Sequence, residues 1–105
     1  MIYTYELSVQ VKKFLAGDTT AFDKIFVMTA DDLYFHVSMV IRDPSEAEDV
    51  VVKIYKNLYK RIGRLDKVEN VISWYNQIVY NELDDWVGKN YMNILIREEN
   101  GKYDS

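Results

Sequence analysis

Few side chains in this sequence could do chemistry, and they are scattered along it. The 105 residues include no cysteine, and the single histidine, His36, lies among apolar neighbours and is interpreted as a core or boundary residue. The paired aspartates Asp31-Asp32 and Asp84-Asp85 form no cation clamp by themselves, because adjacent residues of a helix point about 100° apart. Gly17 stands alone where a phosphate-binding loop would need several glycines. The sequence therefore predicts no catalytic residue, no metal site and no cofactor, and we expect a protein that is not an enzyme.

Composition and charge narrow the class of protein further. Hydrophobic residues make up 49% of the chain, which is enough for one domain with a real core. The formal net charge is −4, whereas a protein that binds nucleic acid on its own usually carries a basic excess. The lack of cysteine suits a reducing compartment, and no leader segment or membrane-length apolar run is visible. We therefore expect a soluble, cytoplasmic protein with no membrane partner.

The elements that must position these side chains are helices. Apolar residues recur with helical spacing, no segment alternates as a strand does, and Gly17, Gly63 and Gly88 each follow a periodic stretch as a helix cap would. The predicted class is all-α, a compact bundle of about four helices over residues 1–90, with residues 91–105 as a tail or the start of an interdomain linker. The predicted helices are Thr4 to Ala16, Asp18 to Ile41 with a break near Ala30 left open, Asp43 to Ile62, and Val71 to Val87.

The third predicted helix has the clearest pattern. It opens with Asp43-Pro44-Ser45-Glu46, a capping box with proline in the first turn, and its acidic start and basic end complement the helix dipole. The stripe predicted to face the core is Ala47, Val50, Val51, Ile54, Leu58 and Ile62. A second stripe lies beside it and consists of Glu48, Val52, Tyr55 and Tyr59. This second stripe is interpreted either as the edge of a small core or as a docking surface with a charged rim.

One apolar patch lies after the last predicted helix, from Tyr91 to Ile96. It could begin an interdomain linker, cover a neighbouring molecule, or pack on its own bundle. Packing on the bundle is the expectation, because apolar side chains are usually buried within their own domain.

Three runs of the sequence together resemble region 2 of the sigma-70 family of RNA polymerase sigma factors, especially the extracytoplasmic-function type. They are LAGDTTAFDKIF, RDPSEAEDVVVKIYKNLYKRIGRLD and ISWYNQIVYNELDDW, within about residues 10 to 90. The most specific part is Asp43-Pro44 followed by Ala47-Glu48-Asp49. The resemblance implies a helical domain that binds the β′ clamp helices of the RNA polymerase core. It also implies a role in minus-ten promoter recognition and melting during transcription initiation.

The resemblance assigns residues to each of these contacts. The implied polymerase-binding residues are Glu46, Glu48, Asp49, Val52, Lys53 and Lys56, and Tyr55 and Tyr59 of the second stripe are predicted to belong to the same surface. The implied residues for promoter DNA, which is bound only within the holoenzyme, are Arg61, Arg64, Lys67, Asn70, Trp74, Tyr75, Tyr80 and Asn81. Exposed bases need stacking surfaces and polar edges, and the phosphates need cations. An anti-sigma factor is a further candidate partner.

The sequence departs from the family pattern mainly in the fourth helix. The family's Ala-Arg-Asn segment reads Val79-Tyr80-Asn81 here, and Asp84-Asp85 stands where basic residues usually follow. Val52 replaces a common glutamine, and no second helix-turn-helix domain for the minus-thirty-five element is recognisable. The alternative is therefore a sigma-like interaction module without its own DNA recognition. Such a module would bind an anti-sigma factor, act as a polymerase decoy, or self-associate.

Overall fold

The computed structural model describes residues 4–65 and 70–103, and over these ranges the chain is an all-α bundle, as predicted. The α-helices are α1 (Thr4–Leu15), α2 (Ala21–Val40), α3 (Pro44–Arg61) and α4 (Val71–Tyr103), and no strand occurs within the described ranges. A short 3₁₀ turn, Ile62–Arg64, follows α3. None of the helices described is both long enough and apolar enough to span a bilayer.

The junction between α1 and α2 is a glycine cap followed by an aspartate turn. Gly17 has φ +107°, the left-handed conformation that favours glycine, and the Asp18 N–H donates to the Lys13 carbonyl, which closes α1. The Asp18 carboxylate accepts from the Thr20 N–H at 3.1 Å and from the Thr20 hydroxyl, and these hydrogen bonds lower the pKa of Asp18. The helix α2 therefore begins at Ala21, three residues later than predicted, and it continues past Ala30 without a break.

The start of α3 matches the prediction in part. Asp43 is the N-cap residue, its carboxylate accepts from the Ser45 N–H at 3.2 Å, and Pro44 occupies the first turn. The reciprocal hydrogen bond expected from Glu46 is not among the hydrogen bonds of the described residues, and one oxygen of its carboxylate is buried without a partner there. The cap is therefore one-sided, and the Asp43 side chain supplies it.

The core is built where α2, α3 and α4 meet. Members of the predicted α3 stripe are buried, apart from Val51, which is half-buried against the same cluster. From α4 the predicted Tyr75, Ile78 and Val79 join them, with Leu83 in addition. The helix α1 adds a second cluster through Leu7 and Val11. Burial of apolar area of this kind stabilises the fold by about 25 cal/mol per Å².

One polar contact crosses this core between α2 and α3. Thr29 is fully buried, its hydroxyl donates to the Ile25 carbonyl at 2.8 Å, and it shares a hydrogen bond of 2.7 Å with the Tyr55 hydroxyl. Burial raises the pKa of Tyr55, because the phenolate would lose its hydration. The contact satisfies both hydroxyl groups and fixes the Tyr55 ring against α2.

The prediction that α4 ends at Val87 with Gly88 as its cap is wrong. The helix continues through Gly88 to Tyr103, a length of 33 residues or about 50 Å. A single glycine inside a helix costs only about 1 kcal/mol relative to alanine, which is too little to end a helix by itself. The molecule measures 55 × 21 × 20 Å, so its long dimension is close to the length of α4.

Candidate docking site between the second and third helices

The residues assigned to polymerase binding do not form one surface, because they occupy three sides of α3. Glu48, Val52 and Tyr59 are exposed on the side next to α2. Asp49 and Lys56 are also exposed. Lys56 borders the side next to α2, whereas Asp49 lies further round the helix on its outer side. Glu46 is half-buried. The outer side and the side next to α2 are therefore the surfaces open to a partner.

An open groove of about 640 Å³ lies between α2 and α3. Its walls are mainly apolar, and the lining residues are Phe26, Tyr34, Glu48, Val51, Val52, Tyr55 and Lys56. Half of the eight residues predicted to bind polymerase line this groove: Glu48, Val52, Tyr55 and Lys56. The second stripe of α3 is therefore one wall of a concave surface.

The floor of the groove is held rigidly by aromatic contacts. The Tyr55 ring packs on Phe26 with a centroid distance of 4.7 Å, and Tyr55 is only 8% exposed because its hydroxyl reaches Thr29 in the core. Tyr55 thus contributes one ring face to the groove and otherwise belongs to the core. Aromatic pairs at this distance add about 0.5–1.5 kcal/mol beyond the area that they bury.

Tyr59 extends the same side of α3 beyond the groove. Its ring makes edge contacts with Phe14 of α1 at 5.8 Å and with Phe22 of α2 at 5.1 Å, yet the residue remains 55% exposed. Tyr59 therefore covers the edge of the core, as the simpler interpretation required, and the interpretation as a docking surface stays a prediction.

Lys53 is placed differently from its assignment, because it faces α4. Its ammonium lies 3.6 Å from a Glu82 carboxylate oxygen and 3.9 Å from an Asp85 carboxylate oxygen. The Asn57 side chain, one turn further along α3, donates to the Glu82 carboxylate as well. Lys53 therefore belongs to a polar contact that joins α3 to α4, and its assignment to the docking surface is corrected.

The residues assigned to promoter DNA are spread over several surfaces. Arg61, Arg64 and Asn70 are exposed near the end of α3 and the start of α4, and Lys67 lies outside the described residues. Along α4, Trp74 is half-buried and Asn81 is exposed seven residues later on the same face.

Two of the aromatic residues assigned to base stacking do not join that face. Tyr75 is 3% exposed and is a core residue, so its assignment is corrected as well. Tyr80 is 55% exposed, but it points about 100° away from its neighbour Asn81. The assigned residues that are at least partly exposed are therefore Arg61, Arg64, Asn70, Trp74, Tyr80 and Asn81, and they do not share one face.

His36 is exposed on α2 and is not a core residue, so of the two positions expected from the sequence only the boundary one remains. Its Nε2 atom lies 3.4 Å from the Asp32 carboxylate, and its ring meets Phe35 edge-on at 5.7 Å.

Burial raises the pKa of Tyr75, and the nearby Asp32 carboxylate raises it further. The Tyr75 hydroxyl is buried without a partner among the described residues. Over the same ranges, no three His, Cys, Asp or Glu side chains converge as a metal site would require.

Sequence reasoning missed the α2 wall of the groove. Phe26 and Tyr34 are eight residues apart on α2 and half-exposed, but their spacing alone does not separate them from the neighbouring core stripe. No family model, curated protein or solved structure matches the chain. The geometry of the groove, together with the sequence resemblance, is therefore the basis for assigning a function.

Proposed function

We propose that this protein is a sigma region 2-like domain that acts in the cytoplasm and docks on the β′ clamp helices of RNA polymerase. One observation carries the proposal: the α2–α3 groove is lined by Glu48, Val52 and Lys56, which the family resemblance assigns to that contact, together with Tyr55 of the second stripe. The two lines of reasoning are separate, since the resemblance rests on sequence and the groove on packing.

The groove has the features that suit a helical partner. Its centre is apolar, with Val52 47% exposed, and a charged residue lies at each end along α3. Glu48 and Lys56 are eight residues apart, which is about 12 Å along the helix. A partner helix with an apolar face between a basic and an acidic residue would therefore fit in one orientation.

Promoter DNA is the second contact in this proposal, and it forms only within the holoenzyme. Exposed Arg61 and Arg64 supply cations close to the start of α4, where Trp74 offers a partly exposed ring. Asp84 and Asp85, further along α4, oppose a long phosphate path along that helix. The DNA contact is therefore confined to the first turns of α4 and the end of α3.

The alternative is a protein-interaction module that keeps the groove and has no DNA recognition. The burial of Tyr75 and the acidic middle of α4 favour it. Such a module would compete with sigma factors for polymerase or bind an anti-sigma factor through the same groove.

The first test is calorimetric titration of the chain with an isolated β′ clamp-helix fragment. Val52→Asp places a charge in the apolar centre of the groove, and we expect binding at least about tenfold weaker. The matched control is Met39→Asp, at an exposed residue of α2 that does not line the groove, and it should bind as the unmodified chain does. No binding by the folded chain, or equal loss in both variants, contradicts the proposal.

A second test separates the two candidate functions. A photoreactive residue at position 64 or 70 is introduced, and the reconstituted holoenzyme is incubated with promoter DNA. Crosslinks to the non-template strand that depend on the minus-ten sequence support promoter recognition. Polymerase binding without such crosslinks identifies the interaction module.

A further inference from the structure

The outer half of α4 projects from the bundle. Leu83 is the last buried side chain in the described part of this helix, and Trp86 and Val87 are half-buried beyond it. The helix nevertheless continues to Tyr103, about 30 Å past Leu83. We call residues 84–96 the arm.

The arm carries an apolar face that does not pack on the bundle, contrary to the expectation from sequence. Tyr91, Met92, Leu95 and Ile96 are 56%, 64%, 44% and 50% exposed, and the side chain of Ile94 lies outside the described part. Their spacing of i, i+1, i+4 and i+5 places them on one side of the helix. An exposed apolar face of this kind on a soluble domain marks an interaction site.

The same face becomes acidic toward the bundle. Asp84 is seven residues before Tyr91, and Asp85 is seven residues before Met92, so each aspartate lies two turns from an apolar residue on the same side. The Asp85 carboxylate lies 3.0 Å from Lys89 and 3.9 Å from Lys53. Asp84 has no ion-pair partner among the described residues, so the face keeps an acidic group open to a partner.

Gly88 leaves a notch in the middle of this face. It is three residues before Tyr91 and four after Asp84, and a Cβ atom built there would have nothing within 4 Å. No contact within the bundle therefore explains the glycine. A second helix can approach the backbone of the arm most closely at this point.

We propose that the arm binds a basic amphipathic helix of another protein. The apolar residues of that helix cover Tyr91, Met92, Leu95 and Ile96, and a lysine or arginine residue lies against Asp84, because Asp85 already faces Lys53 and Lys89. The open carboxylate of Asp84 selects this occupant. It repels an anionic membrane surface, and two copies of a chain with net charge −4 repel each other.

The probe is a synthetic helix three heptads long, with leucine at the a and d positions and lysine elsewhere. Its twin carries glutamate in place of lysine. Fluorescence anisotropy with the chain should show binding of the lysine peptide and not of the glutamate peptide. The double variant Asp84→Lys with Asp85→Lys should weaken that binding at least about tenfold in low salt.

Matched variants distinguish the arm from the groove. Met92→Gln with Leu95→Gln should abolish binding of the lysine peptide and leave binding of the β′ fragment unchanged, because these side chains are exposed and far along α4. Val52→Asp should do the reverse. Circular dichroism confirms that each variant is folded, so the proposal for the arm and the proposal for the groove can fail independently.

Two results would overturn the inference. One is equal binding of the lysine and glutamate peptides, or binding that survives both double variants. The other is a stable dimer of the chain in sedimentation analysis that Met92→Gln with Leu95→Gln converts to a monomer, because a second copy would then cover the face.

Discussion

The groove and the arm both expose apolar side chains beside acidic ones, but they differ in what lies beneath them. Under the groove, Tyr55 and Phe26 pack on each other, and the Tyr55 hydroxyl reaches Thr29 in the core. The arm meets the bundle only at its base, where Trp86 packs against the core and the Asp85 carboxylate lies 3.9 Å from Lys53; Tyr91, Met92, Leu95 and Ile96 beyond it are exposed. The groove is therefore a concave site with two walls, whereas the outer part of the arm is a single convex helix surface.

The largest expected effect separates the bundle from the arm. Ile54 has 0% exposure, and Ile54→Ala should lower the free energy of unfolding by about 2–5 kcal/mol. Leu95→Ala in the arm should change it by no more than about 0.5 kcal/mol, since that side chain is already exposed. Urea denaturation of both variants measures the two values. A comparable loss in Leu95→Ala would mean that the arm packs on the bundle.

A second effect concerns the two buried tyrosines. Tyr55→Phe removes the hydrogen bond to the Thr29 hydroxyl, which keeps its bond to the Ile25 carbonyl, so the change should cost about 0.5–1.5 kcal/mol. Tyr75→Phe removes a hydroxyl that has no partner among the described residues, and it should be neutral or stabilising. Urea denaturation compares the pair. A loss in Tyr75→Phe as large as that in Tyr55→Phe would show that its hydroxyl is bonded, through Asp32 or a buried water.

The same tyrosines predict how stability depends on pH. Burial raises the pKa of Tyr55 and of Tyr75 above the unfolded value of about 10. The folded state then holds its phenolic protons more tightly than the unfolded state does. Stability should therefore be constant below pH of about 10 and fall as the pH rises above it. Denaturation midpoints measured between about pH 8 and 11 test this, and Tyr75→Phe should reduce the slope of stability against pH.

Neutralising one charge on each side of α3 compares the groove wall with the side that faces α4, and the expected effects are smaller. Glu48→Gln, in the groove wall, should weaken binding of the β′ fragment by about three- to tenfold if a partner cation lies there. Lys53→Gln, on the side that faces α4, should leave binding unchanged and lower stability by no more than about 1 kcal/mol, because its ion pairs are half-exposed. Calorimetry gives the affinities. Equal losses in the two variants would return Lys53 to the docking surface.

Local features of the fold could be predicted from the sequence, whereas contacts between helices could not. The start of α3 at Asp43 and its buried stripe followed from capping chemistry and helical spacing, both of which act over a few residues. Spacing also showed that Lys53 is on an exposed side of α3. It did not show that Glu82 of α4 lies opposite, because that depends on how two distant segments pack.

The groove shows the same limit, since one wall could be predicted and the other could not. Val52 and Tyr55 stood out on α3, but Phe26 and Tyr34 acquire their role only when α2 packs beside it. The resemblance assigned Tyr75 to promoter DNA, and tertiary packing places it in the core instead. The predicted end of α4 was wrong for an energetic reason, because Gly88 was treated as a stop when a glycine in a helix is only a modest penalty.

The smallest expected effect tests whether Gly88 serves the arm or is neutral. Gly88→Ala adds a methyl group in open space on a helix, so it should raise the free energy of unfolding by about 0.5–1 kcal/mol. The control is Gly17→Ala, which should be destabilising because φ at Gly17 is +107°. If the notch at Gly88 admits a partner helix, the stabilised variant should bind the lysine peptide more weakly than the unmodified chain. Unchanged binding in Gly88→Ala would show that the partner lies along Tyr91 and Leu95 without approaching the backbone at the notch.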